Sequence, residues 1–144
     1  MEEINMEILL TSIRKLLAYA TSVRKIDAEY KLYQEQENRK LYGYKQAEQF
    51  VGCIGVELTV ENTCIIKQIA VSPDMRGRGI GERMIDFIIE NYAHSKIFTE
   101  TDQDAVNFYK KMGFTITSLG EKYLGVERFM CEYKRTGSMK IQED

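Results

Sequence analysis

The sequence predicts a single α/β (α+β) domain, a mixed and mostly antiparallel sheet of about six to seven strands flanked by helices. Three observations predict it. The stretch 64–90, CIIKQIAVSPDMRGRGIGERMIDFIIE, passes from strand-like alternation through a glycine-rich turn into a helical period. The first forty residues read as helical, and short β-branched runs bounded by turn residues fill most of the remainder. A length of 144 residues, 44% of them apolar and 29% charged, suits one globular domain with a substantial core.

The same composition excludes several classes of protein. A formal net charge of −2 with mixed signs throughout offers no basic face for nucleic acid. No apolar run approaches the ~20 residues of a membrane span. The opening MEEINMEILL lacks the basic region of a secretory signal, so a cytoplasmic location is expected. Cys53, Cys64 and Cys131 have no CxxC spacing and sit in apolar, strand-like contexts. They are expected to be buried reduced thiols rather than a disulfide or a metal site.

Within residues 1–40, Ile13, Leu16, Leu17 and Ala20 fall at helix spacing, and Val23, Ile26, Tyr30 and Tyr33 continue it after Thr21 and Ser22. Either of these hydroxyl residues suits the cap of a second helix, so two helices are expected. Residues 4–10 fit a short strand or a first helical turn equally well. The polar run 35–40 reads as a charged exit. Residues 41–44 and 50–60 predict two antiparallel strands around the polar turn 46–49, with Ile54, Val56, Leu58 and Val60 on one core-facing side.

In the central strand Ile65, Lys67, Ile69 and Val71 alternate with Ile66, Gln68 and Ala70, until Ser72, Pro73 and Asp74 stop it. The following helix sets Ile80, Met84, Phe87 and Ile88 on one face and Glu82, Asp86 and Glu90 on a polar stripe. A short strand 96–100 comes next. Thr101, with Asp104 three residues on, then suggests a capping box for a helix whose face carries Ala105, Phe108, Tyr109 and Met112 and which ends at Gly113. Strands 114–119 and 126–134, a loop 120–125 between them, and a polar tail 136–144 complete the domain. The helices of 1–40 thus precede a sheet-bearing core of 41–134.

Between the central strand and its helix lies Arg76-Gly77-Arg78-Gly79-Ile80-Gly81, three glycines in five residues. Such a turn lets the backbone approach a ligand, and the first amides of the new helix suit a phosphate. Its spacing separates the known kinds. No G-x-x-x-x-G-K-[ST] string exists, and G-x-G-x-x-G would need glycine where Glu82 stands. R-x-x-G-x-G fits, as Arg76, Gly79 and Gly81. Downstream, Ala105-Val106-Asn107-Phe108-Tyr109-Lys110-Lys111-Met112-Gly113-Phe114 matches A-x-x-F-Y-x-x-x-G-F, and Ile69 to Pro73 reads I-A-V-S-P.

On these motifs the chain, over about 41–134, resembles the GNAT family of acyl-CoA-dependent N-acetyltransferases. The resemblance implies a GNAT-like fold in which the central strand separates from its neighbour and offers Ile69, Ala70 and Val71 to the pantetheine of acetyl-CoA. The pyrophosphate is implied on the amides of Arg76, Gly77, Arg78, Gly79, Ile80, Gly81 and Glu82. Arg76 and Arg78 either add charge-assisted contacts or are solvated. Asn107 and Lys111 are further candidates for contact with the coenzyme, and no metal is implied.

Tyr109 matches the family tyrosine that protonates the departing thiolate, and packing against Phe108 and Met112 is its alternative role. The family glutamate early in the central strand is missing, since Cys64, Ile65, Ile66 and Lys67 stand there. Glu57 and Glu100 are the acids nearest the expected cleft, either bases acting directly or through water or solvated strand residues, and the single histidine, His94, is expected at the surface away from the chemistry. Where relatives carry Asn before the tyrosine helix, this chain has Asp102, which accepts hydrogen bonds but does not donate them.

The resemblance therefore implies direct acetyl transfer to a primary amine of a small molecule or peptide. A non-catalytic acyl-CoA-binding sensor is the competing reading. Tyr30, Tyr33, Tyr42, Tyr44 and Tyr123 are candidates to line an amine site or to pack in the core, and the exposed last strands are compatible with a homodimer.

Overall fold

The structure, a computed structural model, describes residues 1–5, 9–59 and 61–134, without the side chains of Lys122 and Tyr123. Val60 at the end of its expected strand, much of the 4–10 segment, the tail 136–144 and the ring of Tyr123 lie outside the described residues. The elements are β1 (Glu2–Glu3), α1 (Thr11–Ala20), α2 (Ile26–Glu35), β2 (Arg39–Gln46), β3 (Gln49–Thr59), β4 (Thr63–Val71), α3 (Ile80–Asn91), β5 (Lys96–Asp102), α4 (Val106–Lys111), β6 (Thr115–Tyr123) and β7 (Val126–Tyr133). They build a seven-stranded sheet in the order β1-β2-β3-β4-β5-β7-β6. Every pairing is antiparallel except β4 with β5. Among the described residues, no helix is long and apolar enough to cross a membrane.

Both faces of the sheet are covered, and the two cores are distinct. One face carries Ile13, Leu16 and Leu17 of α1 and Ile26, Tyr30 and Tyr33 of α2 against Leu41, Phe50, Cys53 and Ala70. The other carries Ile80, Met84, Ile85, Ile88 and Ile89 of α3 and Tyr109 of α4 against Ile54, Val56, Cys64, Ile66, Ile97 and Cys131. In α3, Ile85 and Ile89 complete the buried stripe, while Phe87 is half-buried and Glu82, Asp86 and Glu90 face water.

Several local expectations change. β3 is buried from Gly52 to Val56 on both faces rather than on one, because helices cover it from either side. The charged exit 35–40 ends in strand: Arg39 is buried, stacks over the Tyr33 ring and donates from Nη2 to Glu29 Oε1 at 2.9 Å. Two N-terminal helices form, but a short 3₁₀ turn, Val23–Lys25, leads into α2, and neither Thr21 nor Ser22 makes a side-chain cap. The 120–125 loop is instead strand up to Tyr123, with the hairpin turning at Leu124 and Gly125. Gly120 pairs with Arg128 just after a bulge that leaves Leu119 as the extra residue, so it continues the strand instead of opening a loop.

Thr101 does not cap the tyrosine helix. It belongs to β5, and the Oδ1 of Asp102 accepts the amides of Asp104 at 3.0 Å and Ala105 at 3.1 Å. An aspartate at the strand end thus reaches two amides of the turn into α4, sharing that of Ala105 with its own carbonyl at 3.3 Å.

The feature that sets up the site is the β4–β5 pair. It is parallel and joins only Thr63, Cys64 and Ile65 to Lys96, Ile97 and Phe98, after which the strands part. β4 meanwhile stays paired with β3 as far as Val71, with a register shift at Gly55/Val56 that leaves Lys67 as the extra residue.

Next to that bulge, Gly55 has Tyr33 laid directly on its backbone: a Cβ there would sit 2.0 Å from Tyr33 Oη. The Tyr33 ring is itself buried and its hydroxyl donates to Gln68 Oε1. It has nowhere to move, so Gly55→Ala is expected to destabilise the fold by about 1–3 kcal/mol. Urea unfolding checks this, and an unchanged midpoint would contradict the packing.

Candidate active site

The glycine turn opens into a cavity of about 280 Å³ between the end of β4, the start of α3 and α4. Val71, Met75, Arg76, Gly77, Gly79, Ile80, Gly81, Glu82 and Phe108 line it. Gly77 and Gly79 take φ of +78° and +80°, the left-handed region that L side chains rarely adopt. At Gly81 a Cβ would meet the Phe108 ring at 3.4 Å, an ordinary contact, so the conformational demand for glycine falls on Gly77 and Gly79. The first intrahelical bond of α3 runs from Arg83 N to Gly79 O at 3.0 Å, and no side chain caps the helix. The amides of residues 79–82 therefore face the cavity end of a helix dipole, an arrangement that suits a phosphate.

The other sequence candidates distribute unevenly around this cradle. Ile69 and Val71 face the α3 side and Ala70 the α1 side, while Ile80 is buried in the core. Arg76 is folded back: its Nε donates to Val71 O at 3.0 Å, and its guanidinium lies 5.2 Å from the Tyr19 ring centroid. Arg78 stays exposed, and its carbonyl accepts from Arg83 Nη1 at 3.3 Å. Asn107 and Lys111 are exposed on α4 and are not among the residues lining the cradle. Asp102 is occupied by the turn into α4, and His94 is exposed with its carbonyl bonded by Asn62.

Tyr109 is buried where β4 and β5 part. Its ring meets Phe108 and Phe114 edge-on, with centroids 5.1 and 5.4 Å away. Burial pushes its phenol up to about 12, and a hydrogen bond with Thr99 pulls in the opposite direction. Thr99 is buried too, and its hydroxyl donates to Ile66 O at 3.2 Å, the first residue of β4 beyond the β5 pairing. A phenol therefore reaches the gap through Thr99. That residue was overlooked in the sequence, although a polar side chain in phase with buried Ile97 was the available signal.

On the opposite face the gap opens into a second cavity of about 390 Å³, lined by Ile65, Ile66, Lys67, Phe98, Thr99, Glu100, Arg128 and Met130. Glu100 accepts from Arg128 Nε at 3.1 Å. Glu57 lies outside this lining, 3.8 Å from Lys67 Nζ. Arg128 also went unnoticed in the sequence, because its relation to Glu100 arises only from the β5–β7 register. Of the five tyrosines proposed for an amine site, Tyr30 and Tyr33 are core residues, Tyr42 packs on Phe87 and bonds Tyr92, and Tyr44 accepts from Arg83. A larger cavity of about 810 Å³ beneath α1 touches neither β5 nor α4, so its size does not mark the chemistry.

All three cysteines are free and buried. Burial pushes Cys53 and Cys64 up to about 12 and Cys131 up to about 11, which leaves no thiolate nucleophile at neutral pH. Among the described residues no group of three or more His, Cys, Asp or Glu gathers to hold a metal.

Comparison with known proteins bears on this geometry. The profile of the acetyltransferase (GNAT) domain matches residues 37–116. An uncharacterised N-acetyltransferase from the lysA 3′ region of Bacillus methanolicus is 31% identical over 75 residues, which is 52% of this chain and 62% of that protein. Among solved structures, an aminoglycoside 6′-N-acetyltransferase complexed with coenzyme A superposes with a TM-score of 0.77 at 15% identity, covering 100% of both chains. A GNAT family acetyltransferase from Elizabethkingia anophelis with acetyl-CoA bound gives 0.73 at 18% identity, covering 93% of this chain and 96% of that one. At these identities the structural likeness is one of fold.

The thiols provide a direct check on the interior. Ellman's reagent at pH 8 is expected to leave Cys53, Cys64 and Cys131 unreacted in the native protein and to titrate all three in guanidinium. The folded chain holds these protons above the ordinary thiol value of 9.0, so their contribution to stability is complete below about pH 9 and is lost as pH rises toward 11 to 12. Rapid labelling of the native protein would contradict their burial.

Proposed function

Because the chain belongs to the GNAT acetyltransferase family, we propose that it transfers an acetyl group from acetyl-CoA directly to a primary amine of a small molecule or peptide. The observation that carries the reading is the parting of β4 from β5 after Ile65, with a phosphate-suited cradle at one end and the Tyr109–Thr99 pair in the gap. The chain's residues fit the coenzyme. The amides of residues 79–82, in the cavity that Phe108 and Val71 also line, would hold its pyrophosphate. The edge of β4 at Ile69, Ala70 and Val71, which β5 does not pair, would hold the pantetheine arm.

Acetyl-CoA, when bound, supplies a thioester whose carbonyl carbon accepts the amine. Tyr109 holds its proton throughout the neutral range and donates it to the leaving sulfur. Glu100, the acid lining the cavity on the open face, receives a proton from the incoming amine, directly or through water. This assigns to β5 the role that the missing acid of the central strand leaves open. With the thiols protonated and buried, no cysteine carries the acetyl group.

Tyr109→Phe is expected to lower kcat by about 10²–10⁴-fold while the affinity for coenzyme A, read by calorimetry, stays the same. Unchanged turnover would remove Tyr109 from the chemistry. Coenzyme binding without amine-dependent release of free thiol, across amines and peptides, would instead support a non-catalytic acyl-CoA-binding module.

A further inference from the structure

The cavity on the open face is chemically specific in a way that acetyl transfer alone does not require. Glu100 is the one acid among the residues lining it, while Arg128 and Lys67 are both cationic. Ile65, Phe98 and Met130 supply an apolar wall. The Glu100–Arg128 pair is partly sheltered, with side chains 32% and 25% exposed, and it uses Nε of the guanidinium. Arginine has five N–H donors in a planar fork, so the Nη edge retains the geometry that binds a carboxylate in bidentate fashion. Lys67 is held only loosely, 3.8 Å from Glu57.

A polycationic acceptor entering here meets two positive side chains for a single negative one. A simple amine pairs with Glu100 but leaves Arg128 without its partner, half out of water. An acceptor carrying both charges avoids each cost, since every charge then keeps an opposite neighbour. At about 390 Å³ the cavity also falls near the small end of the ~300–1,000 Å³ range of small-molecule sites.

We propose that the acceptor is a small amino acid with an apolar side chain, inserted into the Glu100–Arg128 ion pair so that its ammonium meets Glu100 and its carboxylate meets Arg128, with Lys67 at the rim. This rests on the acetyl-transfer reading above. The amine gives one proton through Glu100 to solvent. Its nitrogen forms the C–N bond to the acetyl carbon, the C–S bond breaks, and the sulfur takes the Tyr109 proton. The second proton lost by the nitrogen restores Tyr109, so the sum is ammonium plus thioester giving amide, thiol and one proton.

The test combines thiol release with binding. L-leucine and L-phenylalanine are compared with leucinamide, isoamylamine, phenethylamine, a leucine-initiated peptide and kanamycin, using acetyl-CoA as donor. Calorimetry follows L-leucine binding to the coenzyme A-loaded protein. The amino acids are expected to exceed their carboxylate-free counterparts in kcat/KM by about ten- to hundredfold, the effect of one charge-assisted contact. Arg128→Met is expected to erase that preference mainly through KM and to abolish leucine binding, and Arg128→Lys to restore part of both. Melting temperature and coenzyme A affinity confirm that the variants fold. Preference for leucinamide, the peptide or kanamycin overturns the proposal, as does coenzyme binding with no amino acid acetylated, or a preference that survives Arg128→Met. Failure to bind coenzyme A overturns the acetyl-transfer reading together with this one.

Discussion

Everything functional in this molecule depends on two parallel strands that stop pairing. β4 and β5 share a ladder over three residue pairs and then diverge, although each remains bonded on its other side, β4 to β3 and β5 to β7. A sheet interrupted in this way leaves backbone donors and acceptors that must find partners elsewhere. Part of the answer is local. The Ile66 carbonyl takes the Thr99 hydroxyl and the Val71 carbonyl takes Arg76 Nε. The remaining edge is open to an extended ligand, which bonds it as another strand does. The gap also joins the two faces of the sheet, the arrangement on which the proposed transfer between a donor on the α3 side and an acceptor on the other rests.

What keeps the gap in place lies beneath β4. Gln68, buried one residue after the bulge, accepts from Tyr33 and donates to Glu29 Oε1 at 2.8 Å, and Glu29 in turn pairs with Arg39. Four polar side chains from α2, β2 and β4 thus form one connected group inside an otherwise apolar core. Such a group contributes little net stability, because desolvation offsets most of its attraction. It does penalise alternatives. Sliding β4 by one residue would place Ile69 against Glu29 and send Gln68 into the α3 core, leaving several buried groups without partners. Gly55 serves the same end by leaving room for Tyr33 above the β3 backbone.

The parts of this design that were legible in the sequence are those encoded by short-range pattern. The change of period across the Gly77–Gly81 turn, the α3 stripe and the Phe108-Tyr109 helix depend on neighbours within a few residues, and they appear nearly where the spacing placed them. The parts that were not legible depend on register between distant segments. Arg39 read as a charged exit because its burial requires Glu29 and Tyr33 from another element. Gly120 read as a turn because a strand glycine beside a bulge and a turn glycine look alike without the partner strand. Thr101 and Asp102 are both capable caps, and only the length of β5 decides that Asp102 reaches the amides. The absence of an acid in the central strand was visible, but its replacement was not, since Glu100 and Arg128 come together only when β5 pairs with β7.

That replacement changes how the two faces divide the work. Thr99 and Glu100 are consecutive residues of β5 and so point to opposite faces. The first touches the Tyr109 phenol, and the second lines the cavity that the proposed reaction gives to the amine. In the proposed reaction a single peptide unit therefore links the two sides of the sheet, at the point where β5 has left β4. Moving the acid onto β5 ties its position to the same strand that positions Tyr109 through Thr99. The distance between the proposed proton donor and proton acceptor is then set by one strand rather than by the width of a gap. Arg128, on the neighbouring β7, is fixed to that strand by its ladder, so the proposed acceptor recognition and proton transfer share one frame.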